Sequence, residues 1–387
     1  MKIGIITHYY KTFNYGGALQ SYALVKVLRE MGYDAEQICL SRMQDRTLSE
    51  DCISVGDNTG KKKVSEKAKK KPAEGENEVK YDEIYRGYIA PRFIKFAEFL
   101  NEIPHSEKEY SANSIFMAND VYDAFITGSD QVWNFTWHNP GNFLEFADDD
   151  KKKIAYAVSA GTNKLDEVQK RYISRVLPRF DAVSVRETSL IDTYSRAADV
   201  KLSQALDSVL LLDSDKWDEI ASERLVDDRY MFCFFYNPTY AMYELARDYA
   251  DNHGLKIALI PYALCNRYMT IDDKLGDYRM GNASPADFIS LIKYADCVFT
   301  DSLHTMYFSL IYQKQVYAFK RKVNLEMESR LLSLADMFDC RDHYCDDEAN
   351  MTLEHIESIK PIDYSKEFKT FNKLKEESIT FLKNALS

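Results

Sequence analysis

What most constrains this chain is an alternation that runs through it twice. Short apolar, β-branched and aromatic runs are each followed by a segment whose apolar residues recur at helical spacing. In the first half the runs are Ile3 to Thr7, Ala35 to Leu40, Tyr122 to Thr127, Lys153 to Ser159 and Asp181 to Val185. Helices are expected over Ala18 to Met31, over Tyr81 to Leu100 with a break at Pro91, and over Asp166 to Arg179. The second half repeats the pattern. Strands Tyr230 to Tyr236, Lys256 to Pro261, Cys297 to Thr300 and Val316 to Phe319 alternate with helices Tyr240 to Asn252, Pro285 to Tyr294 and Leu303 to Tyr312, and a helix over Leu325 to Phe338 follows. Strands alternating with helices build parallel sheets covered on both faces, and 387 residues exceed what one core usually supports. The expected fold is therefore α/β, with two Rossmann-like domains facing a cleft. Residues 1–205 form the first domain and 206–362 the second, with Leu206 to Leu212 as the link. A C-terminal amphipathic helix in 363–387 crosses back over the first. Residues 56–80, rich in lysine and poor in large apolar side chains, read as a solvated insertion.

Composition narrows the function. Fifty Lys and Arg against 61 Asp and Glu leave a net charge of −11, which opposes a general nucleic-acid or anionic-membrane binder. An anionic substrate would need a local positive pocket. The N-terminus enters a strand directly, without the apolar region and cleavage site of a signal peptide, and no run approaches a membrane span. A cytoplasmic protein is expected, brought to a membrane only by a partner. The seven cysteines include no C-x-x-C; Cys340, His343 and Cys345 cluster but lack a fourth ligand, so no metal or cofactor is expected.

Three strand ends carry the chemistry. The chain turns from strand to helix at Asp301-Ser302, and His304 falls in the first helical turn, beside N–H groups that attract anions. Spacing alone leaves it either a catalytic or a capping histidine. Asp181 to Val185 presents Arg186, which can fork onto a carboxylate or phosphate or pair with Glu187. Tyr122 to Thr127 runs into Gly128 to Asn134, where Ser129, Asp130 and Gln131 stand beside Trp133. That set suits a sugar, with hydroxyls paired and a ring face stacked, but equally a capped turn with Trp133 in the core. Between the first strand and helix, Asn14, Gly16 and Gly17 form a loop that lets backbone approach a ligand. The G-x-G-x-x-G pattern of a dinucleotide site is absent.

Together these segments resemble the polysaccharide pyruvyl transferase family. The resemblance rests on five ordered motifs: N-Y-G-G-A-L-Q-S-Y-A-L from Asn14, Y-D-A-F-I-T-G-S-D-Q-V-W-N from Tyr122, I-A-Y-A-V-S-A-G from Ile154, F-D-A-V-S-V-R-E from Phe180 and T-D-S-L-H from Thr300. It implies a two-Rossmann fold of the GT-B type and transfer of a pyruvyl group from phosphoenolpyruvate to two hydroxyls of a sugar, giving a cyclic ketal and phosphate. It makes His304 the expected catalytic histidine, with Arg186 and the backbone at Ser302 and Leu303 as donor contacts. Some members carry an arginine where this chain has Ser302, a phenylalanine where it has Leu303, and a glycine at Thr305. The charge that arginine would bring must then come from Arg330 or Arg186. Asn14, Gly16, Gly17, Ser129, Asp130, Gln131 and Trp133 would face the acceptor, a sugar or lipid-linked saccharide. A nucleotide-sugar glycosyltransferase and a non-catalytic sugar-binding relative are the alternatives.

Overall fold

The computed structural model describes residues 1–41, 85–137, 139–261, 275–321, 328–347 and 350–387. The insertion expected at 56–80 lies outside the described residues. Two parallel sheets organise the chain. The first contains β1 (Lys2–Ile6), β2 (Asp34–Leu40), β3 (His105–Tyr110), β4 (Ala124–Thr127), β5 (Lys152–Val158), β6 (Ala182–Val185) and β7 (Ser203–Gln204), in the order β3-β2-β1-β4-β5-β6-β7. The second contains β8 (Tyr230–Phe234), β9 (Lys256–Leu259), β10 (Tyr278–Arg279), β11 (Cys297–Thr300), β12 (Gln315–Phe319) and β13 (Tyr344–Cys345), in the order β10-β9-β8-β11-β12-β13. Both orders double back at the first strand of the sheet, between β1 and β4 and between β8 and β11, where open α/β sheets hold their ligands.

The central strands are buried along their length, as continuous apolar runs under helical cover must be. The strand β3, H-S-E-K-E-Y, escapes an apolar search because it is a sheet edge: only Ser106 and Tyr110 of its residues are buried. The longer helices are α1 (Tyr15–Glu30), α2 (Ala90–Glu102), α3 (Glu167–Val176), α4 (Ser189–Ala198), α5 (Tyr240–His253), α6 (Pro285–Lys293), α7 (Leu303–Ile311), α8 (Glu328–Met337) and α9 (Lys369–Leu386). A π-helical turn, Tyr85–Ile89, runs directly into α2, and Pro91 falls in the first turn after that change of winding, so the helical stretch alters there rather than stopping.

The two sheets share one core. In α1, Tyr15 stacks on Phe288 of α6 with ring centroids 4.7 Å apart, and its hydroxyl donates to the carbonyl of Ala283 at 2.8 Å. Arg92 of α2 is buried and donates to the carbonyls of Gly281 and Pro261 at 2.7 and 3.1 Å. A strap at 205–212 joins the halves. It is pinned by Tyr156 donating to the Leu206 carbonyl (2.9 Å), by Ser208 donating to the Gln20 carbonyl (2.8 Å) and by the Leu206 N–H on Ser378 of α9 (2.9 Å). Through Ser378 and Phe381, the C-terminal helix packs back onto the first half, as expected.

Candidate active site

The geometry of His304 follows from the end of β11. The buried Asp301 carboxylate accepts the N–H groups of Tyr236 and Asn237 at 2.7 and 2.8 Å, fixing the loop after β8 against β11. Ser302 is extended and its hydroxyl accepts the Thr305 N–H, so α7 starts at Leu303 and His304 projects from its first turn. The ring reaches Gly16 in the other half. A Cβ on Gly16 would lie 2.2 Å from Nδ1 and 2.5 Å from both Cγ and Cε1, so the bare Cα of Gly16 sits over the face of the imidazole.

Arg186 leaves the end of β6 with its side chain 5% exposed. Its Nη1 lies 2.7 Å from Asp207 Oδ2 and 3.4 Å from Asp130 Oδ1, and its Nε lies 3.1 Å from Glu187 Oε1. Asp130 is carried there by a tight exit from β4. Gly128 has φ +112, and a side chain on it would strike the Tyr156 carbonyl at 2.1 Å. Arg330 on α8, equally buried, brings its Nε to 3.6 Å from the same Glu187 oxygen. Asp207, in the strap, is fully buried, and its Oδ2 also stands 3.9 Å from His304 Nε2. Arg186, His304 and Arg330, from three separate elements, thus meet around two shared carboxylates.

Three nitrogens in this cluster have no hydrogen-bond partner among the described residues: Arg186 Nη2, Arg330 Nη2 and His304 Nε2. Unpaired buried polar groups cost on the order of 1–3 kcal/mol each, more when charged; the two guanidinium donors can take an anion, while Glu187 Oε2, also unpartnered, can take a donor. Arg186, Arg330, Asp207 and Tyr307 line a cavity of ≈ 80 Å³ that extends to Thr188 and Ser189 at the start of α4. It has room for a small anion and is far below the ~300–1,000 Å³ of a pocket for a larger ligand. A larger depression, ≈ 480 Å³, lies at the amino ends of β9 and β10 among Arg247, Asp251, Lys256 and Asp277. There Arg247 is paired with Asp251 and Asp277 at 2.8 and 3.0 Å, so it is a salt-bridged surface groove at the opposite end of the sheet.

Electrostatics sort the groups. Burial pushes the His304 imidazole below its ordinary 6.5, with Arg186 and Arg330 adding to that, while Asp207 and Asp130 resist. The ring is therefore neutral at pH 7. Burial opposes the Asp130 charge, but Arg186, His304, His8 and Arg330 more than offset it and hold the carboxyl down at about 2. Burial likewise opposes the Arg186 cation and is outweighed by Glu187, Tyr307, Asp130 and Asp207, so its pKa lies well above the usual value. The site at rest carries two guanidinium cations, carboxylates that hold them, and a neutral base.

Most of the residues expected at the acceptor are otherwise engaged. Asn14, Gly16 and Gly17 do not form a loop; helix α1 begins at Tyr15 because the Asn14 side chain caps it, accepting the Gly17 N–H at 3.1 Å. Gly16 faces His304, while Gly17 packs against Thr12 and the His8 carbonyl. Ser129 is fully buried, bridging Gln20 and Ser208 at 3.3 Å. Trp133 stacks in the core between Phe143 and Tyr194, at 5.3 and 6.0 Å and nearly parallel to both, and a ring with no exposed face cannot stack on a sugar. Gln131 is half-buried and accepts from Asn134 at 2.9 Å through its side chain, while its carbonyl faces His8 Nε2 at 3.1 Å. Of the GSDQ segment, Asp130 joins the charged cluster. Sequence reasoning missed Asp207, Tyr307 and His8, whereas Glu187 stands where it was offered, as a pairing partner of Arg186 at 3.1 Å. Asp207 follows β7, and only strand-end position could have marked it. Both His343 nitrogens face backbone carbonyls, of Val316 (2.9 Å) and Lys360 (3.0 Å).

A family model described as polysaccharide pyruvyl transferase matches residues 14–322. The chain belongs to the polysaccharide pyruvyl transferase family. It is thus a member of a transferase family, and the pyruvyl transferase match takes in Gly16, Asp130, Arg186, Asp207 and His304 but ends before Arg330. No curated protein matches the sequence. Among solved structures, the fold is similar to UDP-GlcNAc 2-epimerase from Methanocaldococcus jannaschii, at 10% identity and TM-score 0.55, covering 99% of this chain and 100% of that one. It is also similar to UDP-GlcNAc 2-epimerase from Neisseria meningitidis bound to UDP-GlcNAc, at 10% identity and TM-score 0.54, covering 100% and 99%. A putative UDP-N-acetylglucosamine 2-epimerase from Listeria monocytogenes aligns at 10% identity and TM-score 0.53, covering 97% and 90%. At this identity the likeness speaks of fold alone, and the fold is the GT-B-like pair of Rossmann-like halves. Among the described residues, no helix is long and apolar enough to cross a membrane.

Proposed function

We propose that this pyruvyl transferase family member takes a pyruvyl group from phosphoenolpyruvate and places it on two hydroxyls of a sugar, as a cyclic ketal, with release of phosphate. The observation that carries this reading is the pair of unpartnered Nη2 atoms of Arg186 and Arg330 in a cavity sized for a small anion, with the His304 imidazole outside its lining and 3.9 Å from Asp207, which does line it. The donor has a carboxylate, a phosphate and a methylene carbon. The two guanidiniums hold the anionic groups, and Arg330 replaces the charge lost at Ser302.

Two C–O bonds form at the central carbon of the donor and the bond to phosphate oxygen breaks. One hydroxyl proton is balanced by protonation of the methylene carbon to methyl, and the other leaves with phosphate. His304, neutral at rest, accepts a hydroxyl proton and as imidazolium can deliver it. On this reading the acceptor saccharide approaches from the first half, past Gln131 and past Asp130, which pairs with Arg186 at 3.4 Å. The reaction needs no bound cofactor, and the protein works in the cytoplasm, where phosphoenolpyruvate is made.

The test is to incubate the protein with phosphoenolpyruvate and a panel of galactosyl, mannosyl and hexosamine acceptors and to follow phosphate. Acceptor-dependent release supports the reading. Nucleotide release from a nucleotide sugar in the same panel, with no phosphate from phosphoenolpyruvate, would replace it with glycosyl transfer.

A further inference from the structure

Asp207 lies in the strap between the two sheets, and its side chain has no exposed surface. Its Oδ1 accepts the Val209 N–H at 3.1 Å, which stops the carboxylate from turning. Its other oxygen is claimed from two sides: by Arg186 Nη1 at 2.7 Å, from the first half, and by His304 Nε2 at 3.9 Å, from the second. Among the described residues, Asp207 is the one carboxylate within 4.0 Å of a His304 nitrogen, and Nε2 has no other partner. The remaining charged and titratable groups around the ring are Asp130 after β4, Arg186 after β6, Arg330 on α8 and Tyr307 one turn along α7, whose ring meets the imidazole edge-on at 5.5 Å.

We propose that Asp207 is a positioning residue: its fixed Oδ2 orients the His304 ring and trades its partner, from the Arg186 cation to the imidazolium, when an anion draws Arg186 away. The trade rests on the donor chemistry proposed above, whereas the coupling of Asp207 to His304 does not. Charge counting favours it. Asp130, Glu187 and Asp207 face the cations of Arg186 and Arg330, so with His304 neutral one negative charge is left over, and a proton on the ring balances the cluster. A gap of 3.9 Å is too long for a hydrogen bond, yet about 1 Å of closure makes one.

The test compares the wild type with Asp207→Asn, which keeps the size and the Val209 contact but removes the charge and turns an amide N–H toward Arg186 and His304. Imidazole titration by NMR, with His304 identified by the signal lost in His304→Gln, is expected to show its midpoint lower in D207N by roughly one pH unit or more, the Coulomb effect of a unit charge at ~4 Å. An unmoved midpoint overturns the proposal whether or not the protein turns over phosphoenolpyruvate. In phosphate-release assays, D207N is expected to lose kcat by ~10-fold or more, while the acidic limb of the pH profile moves down. A limb that stays put would mean that the loss is merely structural and would overturn the proposal. Asp207→Glu retains the charge and displaces the oxygen, so kcat should fall with the limb in place; unchanged kcat counts against positioning, and this variant decides the matter if D207N does not fold. A shifted midpoint in a protein that releases no phosphate supports the Asp207–His304 coupling and removes the pyruvyl reading.

Discussion

The contact between Gly16 and His304 gives the sharpest prediction. In Gly16→Ala, the new methyl would stand 2.2 Å from Nδ1, whereas ordinary contact begins at 3.4 Å. The ring must therefore retreat along its normal by roughly 1 Å, and backbone of α1 cannot yield instead, because that helix is buried along most of its length. A misplacement of ~1 Å at a reacting group costs about 10²-fold in rate. The helix itself tolerates the change. Gly16 has no left-handed φ, and alanine is better than glycine in a helix by about 0.5–1 kcal/mol, which works against the strain of the clash. The expected result is phosphate release reduced about 100-fold, with KM for phosphoenolpyruvate little altered and a melting temperature within a few degrees of the wild type. Activity within threefold of the wild type, in a protein that melts normally, would refute the idea that Gly16 is kept bare to seat a His304 ring on which turnover depends.

Other outcomes follow from the same cluster. His304→Ala should lose ~10²–10⁴ in kcat while far-UV circular dichroism stays unchanged, the range of a general acid–base group. Arg330→Met should raise KM for phosphoenolpyruvate by ~10- to 100-fold, because a charge-assisted contact of ~1.5–3 kcal/mol is lost; an unchanged KM would leave Arg186 as the sole anchor. Because burial depresses the His304 pKa, the neutral base persists below pH 6.5. Turnover should therefore hold level down to that pH and decline only at lower values, as the ring protonates in the free enzyme. Trp133→Ala should cost about 3–5 kcal/mol in urea unfolding through loss of the stack with Phe143 and Tyr194, with donor KM unaffected in whatever remains folded.

The strand-to-helix turn at Ser302 was legible because an apolar run and a helical stripe meet there, so His304 could be placed from the sequence. Arg186 was legible for the same reason at β6, and the missing arginine at position 302 pointed to Arg330 or Arg186 without deciding between them. What could not be read were relations across the fold. The glycine pair announced a close approach, but the sequence does not say that the approaching group is an imidazole from the other half. Trp133 carried equal signals for stacking and for core, and Phe143 and Tyr194, ten residues and more away, decide between them. Asp207 sits in a segment that reads as a link, L-D-S-V-L-L-L, and its importance arises only when the strap is threaded between β7 and β8.

The stacking of Tyr15 on Phe288, with the Arg92 clamp beside it, has a mechanical corollary. Two lobes that hold a continuous apolar interior cannot swing apart without exposing it to water, and that penalty disfavours the wide clamshell movement open to loosely joined lobes. Reactants must then come and go by way of local rearrangement at the rim. On that view, cross-linking the lobes far from the charged cluster should leave turnover intact.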